Sequence, residues 1–139
     1  MAAVILDTGP IVALIDRREA LHDWARSAFA RLRFPLQTRQ AVITETCFPL
    51  RSQPVALGNL RRHLEAGHFV DALDFPALTQ RIMALTEQYA SVPISFADAC
   101  LVAISETAGT VPICTLDRDF LIYRRADRTP PGLVAPFVE

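Results

Sequence analysis

Four carboxylates in this chain stand at the edges of apolar runs or inside one. Asp7 and Asp117 each follow an apolar run, Asp98 precedes one, and Glu45 lies within one. A carboxylate at the edge of a core is unfavourable unless it is paired or bound to a cation. Four such acids within 139 residues therefore predict a fold that brings them together on a shared metal ion.

Short apolar runs and helical periodicity alternate along the chain, and no internal repeat is present. Buried strands are predicted at residues 3–6 and 111–115, an alternating strand at 68–73, and a strand at 132–138 that Pro136 places at a sheet edge. Apolar residues three and four positions apart predict helices at 21–32, 40–50, 55–65 and 77–90. Short strands separated by helices indicate one α/β domain over residues 1–139, with a mostly parallel sheet.

Two further helices begin beside candidate acids. One starts at Gly9-Pro10 and runs through Ile11 to Asp16, with the proline in its first turn and Thr8 as its cap. The other opens at residues 95–98, is apolar almost all round and ends at Gly109. A helix that is apolar on every face is expected to be buried, so Asp98 should lie at the start of a core helix.

The absence of lysine and the placement of the cysteines argue against several classes of enzyme and of fold. All fourteen basic residues are arginine, so Walker P-loops, Schiff-base enzymes and receiver-type phosphorylation domains, which use a lysine, would each need a substitute. Cys47, Cys100 and Cys114 all lie in apolar surroundings without a C-x-x-C pair. This pattern indicates buried thiols rather than a disulfide framework.

The charge and the hydropathy set limits on partners. The net charge is −1, but it becomes +4 when the four acids above and Asp119 are left out, so the remaining surface permits a nucleic-acid partner. The apolar runs fall far short of the roughly 20 residues of a membrane span. The first residues lack a basic region and reach Asp7 at once, which is not typical of a signal peptide. A cytoplasmic protein without a membrane partner is therefore predicted.

The predicted sheet explains how the acids could meet. Ligands of open parallel sheets gather at the carboxyl ends of the strands, where Asp7 and Asp117 are expected. Asp98 falls in the first turn of a helix, where the dipole favours an anion, and Glu45 would join from another helix. Crowded carboxylates repel unless a hard cation neutralises them, and an oxygen-only ligand set favours Mg²⁺ or Mn²⁺ over zinc. Such an ion can activate water against a phosphodiester, so phosphodiester hydrolysis is the predicted reaction.

Each acid also has a purely structural interpretation. Asp7 could cap the helix that follows it, and Asp98 could complete a capping box with Ser95. Glu45 could face solvent, and residues 117–119 could form an ordinary turn. If the acids shared no site, all four structural interpretations would have to be true together by coincidence. A shared site is therefore the better hypothesis.

Four segments together resemble the PIN domain family and, within it, the VapC-like toxins of bacterial toxin–antitoxin pairs. In the order of the family they are residues 6–16 (LDTGPIVALID), 43–45 (ITE), 95–99 (SFADA) and 114–120 (CTLDRDF). Each segment is weak alone, but four in order span almost the whole chain. The resemblance implies a three-layer α/β/α sandwich and a Mg²⁺- or Mn²⁺-dependent endoribonuclease that acts as a toxin.

The resemblance also implies roles for individual residues. Four acids match the catalytic quartet of the family: Asp7, Glu45, Asp98 and Asp117. The expected metal ligands are Asp7, Asp98, Asp117 and Asp119, because the last motif of the family varies enough for Asp117 and Asp119 to exchange roles. Thr8 and Thr115 match hydroxyl positions beside the acids and are candidate substrate-binding residues. Arg118 lies between two of the acids and could meet a substrate phosphate or pair with its neighbours.

The resemblance implies several partners, and alternative functions stay open beside the toxin ribonuclease. An RNA substrate is expected, together with a homodimer and a cognate antitoxin whose C-terminal segment covers the active groove and often supplies an arginine. A housekeeping RNA-processing nuclease of the same family is an alternative, as is a non-catalytic module that binds RNA or protein. A sugar-phosphate phosphatase is more distant, because its usual D-x-D pair is absent after the first strand and occurs only at residues 117–119.

Overall fold

A five-stranded parallel sheet forms the centre of the fold. A computed structural model describes residues 3–71, 73–107, 109 and 111–138. The strands are β1 (Ile5–Leu6), β2 (Leu36–Thr38), β3 (Phe69–Asp71), β4 (Ile113–Cys114) and β5 (Leu133–Val134). They are ordered β3-β2-β1-β4-β5, and each neighbouring pair is parallel.

Six α-helices connect and cover the sheet. They are α1 (Thr8–Ile15), α2 (His22–Phe29), α3 (Gln40–Leu50), α4 (Pro54–Glu65), α5 (Phe75–Gln88) and α6 (Phe96–Thr107), with a short 3-10 helix at Arg118–Leu121. Pairs of helices join β1 to β2, β2 to β3 and β3 to β4, because parallel strands need a crossover connection. The predicted three-layer α/β/α fold is therefore confirmed.

The strand order creates a crevice between β1 and β4. From β1 the chain moves outward to β2 and β3, then crosses back to β4 and continues to β5. The connections after β1 and β4 therefore leave in opposite directions. Parallel α/β sheets bind ligands at such a switch point, outside the carboxyl ends of the strands.

The core lies around α6, which is buried on nearly all sides as predicted. Every residue from position 97 to position 105 is buried, including the charged Asp98. Gly109 follows α6 with a positive φ of 69°, a conformation that glycine adopts without strain. The burial of α6 fixes the backbone that carries Asp98.

Several element boundaries differ from the prediction. The helix at 40–50 is correct, but Pro49 lies inside it, and the strands are shorter than predicted. The strand Leu36–Thr38 was not predicted, since it follows Pro35 and contains the polar Gln37. The strand predicted at 68–73 is present over the shorter range Phe69–Asp71, and Ala72 lies outside the described residues.

The cap of α1 is also corrected. Thr8 is the first helical residue, and the cap is Asp7, whose side chain accepts the backbone N–H of Thr8. Carboxylates serve well in this role because they satisfy a free N–H at the helix start. Asp7 is therefore fixed at the junction of β1 and α1. Among the described residues, the helices are all too short or too polar to span a bilayer.

Candidate active site

Five carboxylates line one pocket in the crevice between β1 and β4. The pocket has a volume of about 450 Å³, and its acidic residues are Asp7, Glu45, Asp98, Asp117 and Asp119. The rest of its described lining is uncharged: Thr8, Gly9, Pro93, Ser95 and Leu116. We call this site the acidic pocket. All four members of the predicted quartet, and the predicted fourth metal ligand, thus face one space.

Asp7 is held on both carboxylate oxygens at the end of β1. Oδ1 accepts the backbone N–H of Thr8 at 2.7 Å, and Oδ2 accepts the hydroxyl of Thr115 at 2.6 Å. The Asp7 residue is only 5% exposed, and Thr115 is fully buried next to β4. Two hydrogen bonds from neighbouring strand ends therefore fix the orientation of the carboxylate.

Asp98 is placed by the first turn of α6. Its backbone N–H donates to the Ser95 hydroxyl oxygen at 3.0 Å, as in the predicted cap. Its Oδ2 accepts the hydroxyl of Tyr123 at 3.3 Å, and the Asp98 residue is 8% exposed. The Ser95 half of the predicted capping box is thus present, while the Asp98 side chain faces the acidic pocket and accepts from Tyr123 instead of completing the box.

Glu45 reaches the acidic pocket from the exposed side of α3. Its Oε2 accepts the hydroxyl of Thr8 at 3.0 Å, which joins the side chain to the start of α1. The Thr8 hydroxyl also lies 3.4 Å from the carbonyl oxygen of Val42, one turn earlier on α3. Glu45 is exposed and Asp7 is buried, so the acidic pocket combines a solvent-exposed carboxylate with a buried one.

Asp117 and Asp119 lie together in the turn after β4. The backbone N–H of Asp119 donates to Oδ1 of Asp117 at 2.8 Å, and this bond caps the 3-10 helix. The backbone N–H of Asp117 itself donates to the hydroxyl oxygen of Thr115 at 3.0 Å. Thr115 thus connects this turn to Asp7, which brings the carboxylates of β1 and β4 into one arrangement.

The two buried acids of the acidic pocket, Asp7 and Asp98, have raised pKa values. Burial raises the pKa of Asp7 to about 6, against the opposing effect of the hydrogen bonds from Thr115 and Thr8. Burial likewise raises the pKa of Asp98 to about 7, and the charges of Asp7 and Asp117 raise it further. Both effects disfavour the ionised form. The acidic pocket therefore carries more negative charge than its own protein surroundings neutralise.

Two predicted substrate-binding residues do not line the acidic pocket. Thr115 is fully buried and acts on Asp7 through its hydroxyl. Arg118 is exposed, and its guanidinium lies 4.8 Å from the centre of the Phe137 ring. Thr8 does line the pocket, and it is the predicted hydroxyl that stands closest to solvent.

Tyr123 was missed by the sequence analysis. It is 1% exposed, packs edge-on against Phe120 and Tyr89, and donates to Asp98. Burial raises the pKa of the Tyr123 hydroxyl, and the neighbouring acids raise it further, so the group stays a donor. Nothing in the sequence around position 123 signals this contact, because its partner lies 25 positions earlier.

Thr115→Val should raise the pKa of Asp7 further. Valine keeps the shape of threonine but removes the 2.6 Å hydrogen bond that favours the ionised carboxylate. We expect the pKa to increase by about one, which an NMR titration of the Asp7 side-chain carbon would measure. Thr129→Val, at an exposed loop position, is the matched control. An unchanged Asp7 titration in Thr115→Val would contradict the assigned role of the hydroxyl.

The acidic pocket is not a closed metal cage. Within the described residues, no three His, Cys, Asp or Glu side chains are grouped as a ready metal-binding set. The five carboxylates share a pocket, but the set is open, and four of the five accept hydrogen bonds from different neighbouring groups. Any cation here would need further oxygen ligands from water or a substrate.

Comparison with known protein families agrees with this geometry. The family model of the PIN domain matches residues 4–126, which include β1 through β4 and every acid of the pocket. A search of curated proteins found no match to the chain. The matched segment covers most of the chain and contains the switch point. The chain therefore belongs to the PIN domain family, and its fold is a nuclease fold.

Proposed function

We propose that this protein is a divalent-metal-dependent endoribonuclease that hydrolyses RNA phosphodiester bonds in the acidic pocket. One observation carries the proposal: five carboxylates from four separate segments converge on the switch point of a PIN-family sheet. A structural role would account for each acid singly, as helix cap, turn or exposed side chain. It does not account for their convergence without a compensating cation in the described lining.

The donor chemistry of the acidic pocket fits Mg²⁺ or Mn²⁺. All ionisable groups in its described lining are carboxylates, which are the ligands of hard cations. Mg²⁺ is commonly held by one or two protein carboxylates and keeps several waters, so an open set suffices. The proposed ligands are Asp7, Asp98, Asp117 and Asp119. When bound, the ion would supply charge stabilisation for the phosphate and a more acidic water.

The residues of the chain would then have distinct tasks. Asp7 is fixed by two hydrogen bonds, and Asp98 is oriented by Tyr123, so both present their oxygens in defined directions. Glu45 lines the acidic pocket from the exposed side of α3, where its carboxylate would accept a proton from an attacking water. Thr8, which donates to Glu45 and lines the acidic pocket, would contact a substrate phosphate. Asp117 completes the catalytic quartet from the turn after β4.

Metal removal is the direct test of the proposed function. We expect a chelator to abolish cleavage of an RNA substrate and added Mg²⁺ or Mn²⁺ to restore it, because the acids cannot neutralise phosphate charge by themselves. The measurement is the cleavage rate of a labelled RNA in EDTA and after metal addition. Cleavage that persists undiminished in EDTA would refute the proposal.

The cellular role we propose is that of a cytoplasmic toxin. The four sequence segments that resemble VapC-like toxins support it, and with it a homodimer and a cognate antitoxin as partners. Induction of the chain should arrest growth, while Asp98→Asn should not. Co-expression of a protein encoded by a small neighbouring reading frame should relieve the arrest. Normal growth on induction of an active nuclease would favour an RNA-processing role instead.

A further inference from the structure

A second cavity, at the end of α1 that lies away from the acidic pocket, is lined by basic side chains. It has a volume of about 1160 Å³ and lies where α1 ends, α2 begins and α4 approaches β3. Six of its lining residues carry basic groups: Arg17, His22, Arg26, Arg62, His63 and His68. These include all three histidines of the chain. We call this site the arginine–histidine cavity.

Within the described residues, the arginines of the arginine–histidine cavity are not neutralised by acids. In the part of the chain that the structure describes, Arg17, Arg26 and Arg62 form no ion pair. Their sequence neighbours differ, since Arg18 pairs with Asp16 and Arg61 pairs with Glu65. In each of the adjacent pairs Arg17-Arg18 and Arg61-Arg62, one arginine therefore forms an ion pair and the other lines the cavity.

The one acid in the described lining does little to change this charge. Glu65 lies 3.7 Å from Arg61, which is outside the lining, and both side chains are largely exposed. Arg62 donates to the side-chain oxygen of Asn59, a neutral partner. The arginine–histidine cavity therefore keeps a net positive charge even when its histidines are neutral.

The His63–His68 pair can add one donor, because the ring that accepts the shared hydrogen bond carries its own hydrogen on Nε2. Nδ1 of His22 lies 2.7 Å from the carbonyl oxygen of Ala13, so this nitrogen donates and, in the neutral ring, Nε2 is an acceptor. Nδ1 of His63 lies 2.9 Å from Nδ1 of His68, so one donates to the other. Burial lowers the pKa of His63, and the charges of His68 and Arg62 lower it further.

We propose that the arginine–histidine cavity binds the phosphate group of a nucleotide. Arginine binds phosphate with its planar fork, and the three arginines of the cavity form no ion pair with any acid that the structure describes. Leu14, Ile15 and Ala66 add an apolar wall that a sugar or base could contact, and the volume exceeds what a phosphate alone would fill. The phosphate could belong to a free nucleotide or to the 5′ end of an RNA strand.

This site is separate from the acidic pocket but attached to the same helix. Thr8 and Gly9 at the start of α1 line the acidic pocket, while Leu14 and Ile15 at its end line the arginine–histidine cavity. An eight-residue helix is about 12 Å long. A phosphate in the cavity would therefore be too far away to be the phosphate that is cleaved.

Titration calorimetry with matched probes and variants tests this proposal. The probes are AMP and an RNA hexamer with or without a 5′-phosphate, all in EDTA so that the result does not depend on the proposed nuclease activity. We expect the wild-type chain to bind AMP or the 5′-phosphorylated hexamer, and the Arg26→Gln/Arg62→Gln variant to bind that probe about tenfold or more weakly. All three arginines of the cavity are exposed, so the core should be unaffected. Arg31→Gln/Arg33→Gln removes the same charge elsewhere and should bind like the wild type.

The probes separate the two sources of the phosphate. AMP binding that needs Arg26 and Arg62 supports a free nucleotide as the ligand. Binding of only the 5′-phosphorylated hexamer, with the same dependence, supports an RNA end. The proposal is overturned if neither AMP nor the 5′-phosphorylated hexamer binds, or if both double variants weaken binding equally, since equal weakening would indicate general charge attraction.

Discussion

Asp98→Asn is expected to reduce RNA cleavage by at least about a hundredfold while the protein stays folded. Asparagine has the shape of aspartate and can still accept the hydroxyl of Tyr123, so the start of α6 should be preserved. The change removes a buried negative charge that the proposed metal site requires. The measurement is the initial rate of cleavage of a labelled RNA, together with the thermal unfolding curve of the variant.

Asp98→Asn is a cleaner test than Asp7→Asn. Both oxygens of Asp7 accept hydrogen bonds from Thr8 and Thr115, so an amide there would place an NH₂ group against a donor. Asp23→Asn, an exposed substitution on α2 outside the acidic pocket, is the matched control and should keep full activity. Wild-type cleavage by a folded Asp98→Asn protein would exclude the acidic pocket as the catalytic site.

The metal-free protein is expected to become more stable as the pH falls from 8 to 5. The folded-state pKa values of Asp7 and Asp98, about 6 and about 7, exceed the ordinary value of 3.8. The folded state therefore binds more protons than the unfolded state between these values, and stability is lost as the pH rises through them. A tenfold change in an acid dissociation constant corresponds to about 1.4 kcal/mol, so calorimetry should show a Tm increase of about 5 °C or more.

Mg²⁺ should have the opposite pH dependence. Protons compete with a cation for the same carboxylates, so we expect Mg²⁺ to raise the Tm clearly at pH 8 and much less at pH 5. His63, whose pKa is lowered, opposes the acids below its ordinary value of 6.5. Asp98→Asn keeps the contribution of His63 and should flatten the pH profile. A Tm that is independent of pH, or a metal effect equal at both pH values, would contradict the charge balance described for the acidic pocket.

The parts of the fold with long, regular patterns were predictable from the sequence. The helix at 40–50 was predicted with its observed bounds, and the apolar run after Asp98 correctly predicted a buried helix. Strand β2 was missed because three residues with a central glutamine carry too little apolar pattern. Local periodicity predicts an element only when the element is long enough to show a period.

The acidic pocket was predictable in its acids but not in their partners. Each acid stands beside an apolar run, and that anomaly is visible in the sequence. The partners that orient the acids are distant: Thr115 donates to Asp7 across 108 positions, and Tyr123 donates to Asp98 across 25. Such pairs depend on which strands are neighbours in the sheet, which periodicity does not determine.

The structural and functional interpretations of the acids also proved to be compatible. Asp7 does cap α1, and Asp117 does cap the turn after β4, while both side chains line the acidic pocket. A cap fixes a carboxylate at a helix start, where free N–H groups already favour negative charge. Local stability and site geometry are thus produced by the same hydrogen bonds.

The wide separation of the pocket acids along the chain has a consequence for synthesis. The first acid is residue 7 and the last is residue 119, and Asp7 is oriented by a hydroxyl that follows β4. A nascent chain therefore has no complete pocket until most of its length has been translated and β4 has paired with β1. The proposed nuclease activity would therefore be absent while the chain is being elongated, because the order of the strands delays completion of the acidic pocket.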